Sequence, residues 1–164
     1  MSFDNDLALS TRSRIIQNRI YNELWSPLAI TRFDKKDDMI LDRLFHIDVA
    51  IRLGNGQVIL GQEKALRYKF AKHNTFTMEH YQNRFTKEGG EFFNLGAQFY
   101  FHGYLNEDED DLCKWVVIKV FDFVNFIQSC DSSIYQIKPT GTSRADFLSI
   151  NYDNIPEDCV YARS

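Results

Sequence analysis

A chain of 164 residues, 44% hydrophobic and 15% aromatic with 26% charged residues, has the material for one packed core and lacks the composition of a disordered or fibrous protein. Its net charge of −4 excludes a protein that coats nucleic acid through bulk positive charge, and its longest apolar run, "WVVI" continued through Lys119 to "VF", is far short of the roughly 20 residues that span a bilayer. Cys113, Cys130 and Cys159 are odd in number and scattered, without CxxC or Cys/His alternation, so buried thiols are expected rather than a disulfide framework or a zinc site.

The opening "MSFDNDLALS" carries two acids and no basic-then-apolar block, so no secretion or transit signal is read there and a cytoplasmic location is expected. Residues 11 to 25, "TRSRIIQNRIYNELW", have helical spacing, with Ile16, Ile20 and Leu24 on one side, Ser10 or Thr11 available as cap, and Pro27 as stop. Glu23 falls close to the Ile16 and Ile20 direction, so its carboxylate is expected to lean toward the apolar face, where it needs a partner or a metal.

After the charged connector "FDKKDD", Phe45, Ile47, Val49, Ile51 and Leu53 alternate with His46, Asp48, Ala50 and Arg52, which predicts a strand. "GNG" makes a turn into a second strand from Gln57 to about Arg67. A loop of Gly54, Asn55 and Gly56, with Gly56 left-handed, sets Asp48 opposite Gln62 and puts Lys64 on the same face. A loop of Asn55 and Gly56 alone sets Asp48 opposite Glu63 and turns Lys64 away. The apolar pattern slightly favours the shorter loop, a bulge can rescue either, and both leave a polar or acidic partner beside Asp48.

Further strands are expected at "NTFTMEHY", "AQFYFHGYL" and "KWVVIKVF", with a short helix at "EGGEFFNL", another from Asp122 to about Ser129, and weaker strands at "SIYQIK" and "DFLSINY" around the "PTGTS" loop. The aromatic run "FYFHGY" reads as a packed strand. Charge is segregated: Lys64, Arg67, Lys69 and Lys72 occur without an acid between them, whereas "NEDEDD" is expected to stay in solvent. The expected architecture is a single α/β domain with a mixed central sheet flanked by helices.

Glu23, Asp48 and the "QEK" of Gln62, Glu63 and Lys64 occur in an order that resembles the PD-(D/E)XK nuclease superfamily, the restriction-endonuclease-like fold. The resemblance covers roughly residues 11 to 130, which leaves 131 to 164 as a C-terminal β extension. It implies that Asp48, the Gln62 position and Glu23 bind magnesium or manganese, that Lys64 orients the attacking water, and that Arg67, Lys69 and Lys72 hold a nucleic-acid backbone, DNA in preference. Ile47 stands where the family has proline, and Gln62 stands where it has an acid. An amide oxygen brings no charge, so metal affinity falls unless Glu63, counted here with the catalytic set, or Glu79 enters the site. A homodimer would serve to cut two strands.

Asp48 has a structural alternative, pairing with Arg52 or Lys64 at a sheet end, and Glu79 and Glu91 are read first as exposed strand and helix-start acids. Three functions follow: a metal-dependent nuclease, an inactive nuclease-fold module that binds nucleic acid or a protein, and an unrelated mixed-sheet interaction domain. His46, on the Asp48 side of its strand, is the one histidine held as a substrate contact. The absence of GxSxG and GxxxxGK[ST] sequences argues against serine-hydrolase and P-loop chemistry.

Overall fold

The structure is a computed structural model that describes residues 3–33, 41, 44–139 and 144–164, with side chains from Thr11 onward. Most of the "FDKKDD" connector, and the part of the "PTGTS" loop after Pro139, lie outside the described residues. No described helix is long and apolar enough to cross a membrane.

Helix α1, Phe3–Trp25, begins well before the predicted cap, because no Gly or Pro interrupts the chain from residue 3 to residue 25. It ends where Ser26 turns to φ 45° ahead of Pro27. Its buried stripe runs through Ser13, Ile16, Gln17, Ile20 and Tyr21, with its centre roughly a quarter turn from Glu23. Glu23 is therefore exposed, contrary to the expectation that it leans into the apolar face.

Strands β1 (Ala29–Arg32), β2 (Val49–Arg52), β3 (Val58–Leu66), β6 (Phe99–Leu105), β7 (Leu112–Lys119) and β10 (Val160–Arg163) form a six-stranded sheet in the order β1-β2-β3-β6-β7-β10. Neighbours are antiparallel except β3 and β6, whose parallel pairing makes the sheet mixed and requires a crossover. The crossover carries a 3-10 turn (Tyr68–His73), β4 (Thr75–Asn83), β5 (Glu88–Gly89) and a short helix α2 (Glu91–Asn94). After β7 come helix α3 (Val120–Ser129), β8 (Tyr135–Pro139) and β9 (Asp146–Asn151).

The chain does not put all its strands in one sheet. β4, β8 and β9 join β5 in a second, antiparallel sheet of order β5-β4-β9-β8. β1 and β10, four residues each, carry too little periodicity to be read from sequence and lie at the two edges of the larger sheet.

Strand β6 is buried along its whole length, as its aromatic run predicts. Phe99, Phe101 and Leu105 join Val49, Ile51 and Val117 under Ile16, Ile20 and Tyr21 of α1. Tyr100 and Tyr104 face the other way, into a core shared with Phe76, Met78, Leu148 and Ile150 of the second sheet and Phe123 and Ile127 of α3. Gly61 allows the α1 side to close: a β-carbon there would lie 2.1 Å from the Phe99 ring.

The hairpin between β2 and β3 decides which side chains meet. Leu53 N–H donates to the Gln57 carbonyl at 2.8 Å, and Gly56 takes φ 84°, so the loop is Gly54, Asn55 and Gly56. The apolar pattern favours the shorter loop only if Val58 is core, and Val58 is 47% exposed. His46, at φ 49°, breaks the extended run, so β2 begins at Val49 and Asp48 lies at the strand's mouth rather than in its interior.

Candidate functional site

Asp48 joins three strands through its backbone and side chain. Its N–H donates to the Gly61 carbonyl at 2.9 Å, its carbonyl accepts from Phe33 N–H at 2.9 Å, and its carboxylate accepts from Glu63 N–H at 2.9 Å. Val49 is paired with Gly61, so Asp48 stands one step further along, opposite Gln62. Gln62 and Lys64 are paired with Tyr100 and His102, which places all four side chains on the face turned toward the second sheet.

Two acids from the crossover reach that face. The Glu91 carboxylate accepts from the Tyr100 hydroxyl at 3.1 and 3.2 Å, from the Gln62 amide at 3.4 Å and from Glu79 N–H at 2.8 Å. It is half-buried, not the exposed helix-start acid expected. Glu79 packs against Gly90, where a β-carbon would lie 2.7 Å from Glu79 Cγ. Partial burial and then the charge of Glu91 push the Glu79 carboxyl above its ordinary range, with His46 and Lys64 opposing.

Lys64 Nζ donates to the Thr77 carbonyl at 3.4 Å and lies 5.1 Å from the centre of the Phe147 ring. Desolvation lowers its affinity for a proton, and Glu91 and Glu79 partly restore it. Gln62 spends its amide nitrogen on Glu91, while its Oε1 is buried and has no hydrogen-bond partner. Such an oxygen is costly unless a donor or a cation meets it.

The other predicted site residues are not brought to this face. Glu63 points to the α1 side, where Arg32 grips it with two bonds of 2.8 Å, Tyr21 donates at 3.0 Å, and Asn18 holds the far end of the guanidinium at 2.9 Å. Glu23 is exposed on α1, which covers that same side. Arg67 pairs with Glu109 at 2.7 Å, whereas Lys69 and Lys72 are exposed on the 3-10 turn. The acidic loop is docked rather than left in solvent, since Glu109 also meets Arg12 at 3.2 Å and Asp111 meets Arg19 at 2.6 Å. Cys159 is a buried thiol, but Cys113 is exposed and Cys130 half-exposed.

His102 anchors the interface of the two sheets behind Lys64. Tyr152 hydroxyl donates to the His102 carbonyl at 3.2 Å and so accepts from Nδ1–H at 2.6 Å, which leaves Nε2 to accept from the Thr77 hydroxyl at 3.2 Å. Burial, and then Lys64, hold the imidazole well below its usual protonation range. The folded state therefore refuses a proton that the unfolded chain takes below about pH 6.5, so the contribution is complete above that pH and is lost as pH falls. Urea titrations at pH 7 and pH 5 should show the native chain losing about 1–2 kcal/mol more than a His102→Gln variant. Equal losses would remove His102 from the account.

The sequence offers Glu79 and Glu91 only as secondary candidates and does not show their convergence with Tyr100, although "GGE" marks a place where backbone can approach closely. Among the described residues no group of three or more His, Cys, Asp and Glu is placed to hold a metal ion. The donors that would suit magnesium are the Asp48 carboxylate and the unpartnered Gln62 Oε1, which share this face, and water would have to complete the set. No protein-family model, no curated protein and no solved structure matches this chain.

Proposed function

We propose that the chain is a metal-dependent nuclease with a restriction-endonuclease-like core, hydrolysing phosphodiester bonds of nucleic acid, DNA in preference. One observation carries this reading: the hairpin register sets Asp48, Gln62 and Lys64 on one face, with the Gln62 oxygen buried and unanswered beside a desolvated ammonium. Asp48 and Gln62 would hold magnesium or manganese. When bound, that ion polarises the phosphate and acidifies its water.

The chain's own groups do the rest. Lys64, with little water to screen it, stabilises charge on the phosphoryl oxygens and orients the attacking water. Glu79, raised above the ordinary carboxylate range, is the group suited to hold a proton for the departing oxygen. Glu91 acts as a positioning residue, fixing Gln62, Tyr100 and the Glu79 backbone together.

Magnesium should raise the melting temperature by about 2–4 °C, the shift that about 1 kcal/mol of binding gives in a domain of this size, and Asp48→Asn should abolish the rise. No rise in the native chain would favour the second reading, an inactive module of the same fold, which the lack of a three-acid metal group among the described residues supports.

A further inference from the structure

The face of the second sheet that carries Thr75, Thr77, Phe147 and Ser149 forms a groove beside the candidate site. In-register rows cross it: Glu79, Phe147 and Lys138 in one, Thr77, Ser149 and Gln136 in the next, Thr75 and Asn151 in the third. With Phe70 and His73 of the 3-10 turn it encloses about 550 Å³. The chain has 23 Asp and Glu and a net charge of −4, yet among the described residues that line the groove itself there is no acid, Glu79 lying beyond that lining at the end of the first row, whereas Lys138 and His73 belong to it. Lys69 and Lys72 are exposed on the same turn as Phe70.

The groove borders the candidate site through the contacts of Lys64. Thr77, in its lining, accepts from Lys64 Nζ at 3.4 Å, and Phe147, also in its lining, has that Nζ 5.1 Å from its ring centre. The first row continues to Glu79. Three strands span about 10 Å, which suits one polynucleotide strand rather than a duplex.

We propose that this groove binds a single strand of DNA and delivers its phosphate to Lys64, a substrate class that rests on the nuclease reading. Phe70, 39% exposed with Lys69 Nζ 5.0 Å from its ring centre, and Phe147, with Lys64 against it, supply aromatic rings flanked by cations for bases to stack on. The hydroxyls and amides of Thr75, Ser149, Asn151 and Gln136 offer hydrogen bonds to base edges, and Lys138 and Lys72 meet phosphates.

The test is fluorescence anisotropy of a labelled oligothymidylate of about 16 nucleotides with the full chain in EDTA, beside a duplex and an oligouridylate of the same length. The thymidylate should bind at least about tenfold tighter than the duplex, and Lys138→Glu and Phe70→Ala, each checked by circular dichroism, should weaken it about tenfold. Equal binding of duplex, indifference to both variants, or tighter binding of the uridylate would overturn the proposal. Cleavage is read separately in magnesium. Duplex cut while the single strand is ignored sinks the groove and leaves the nuclease; variant-sensitive single-strand binding with no cleavage under any metal sinks the nuclease and leaves the groove.

Discussion

Lys64→Met should lower metal-dependent cleavage by about 10²–10³-fold, the loss typical of removing one preorganised group that meets developing charge. Methionine keeps the unbranched stem and falls one atom short of the ammonium, so the Phe147 and Thr77 surroundings stay largely filled. Stability should not fall with activity. Desolvation lowers the lysine's pKa in the fold, so at neutral pH the native state carries a penalty that is relieved only as pH rises toward the unfolded value. Thermal melts beside the cleavage assay separate the two effects. A variant that cuts as fast as the native chain removes Lys64 from the chemistry.

Arg32→Met should cost about 3–5 kcal/mol, because it leaves the Glu63 carboxylate buried with only the Tyr21 hydroxyl of its described partners. The pair's side chains are 12% and 8% exposed, so water does little to screen the loss. The double variant Arg32→Met with Glu63→Leu should recover most of that stability, since an apolar pair of similar volume replaces a charge pair at little net cost. Urea unfolding measures both. If the single variant loses less than about 1 kcal/mol, the pair is behaving as an exposed one and does not anchor α1 to the sheet.

Much of this was legible in the sequence, and the failures share a cause. The parity of β3 was readable, but its register depended on one loop residue, and Val58, apolar yet exposed, tilted the pattern toward the wrong loop. The order of Glu23, Asp48 and "QEK" was visible; the face each residue takes was not. Glu63 went to Arg32 because β1, too short to predict, delivers that guanidinium to the α1 side. Glu91 reaches Gln62, and Glu79 reaches Glu91, through a crossover whose path is tertiary, set by Gly90 and by the parallel pairing of β3 with β6.

The most direct test incubates the purified chain with single-stranded, duplex and branched DNA and with RNA, in magnesium, manganese or EDTA. Cleavage of single-stranded DNA that needs metal and stops in EDTA is the predicted result. Folded protein that cuts none of these substrates with either metal would contradict the nuclease reading and leave the module that binds without cutting.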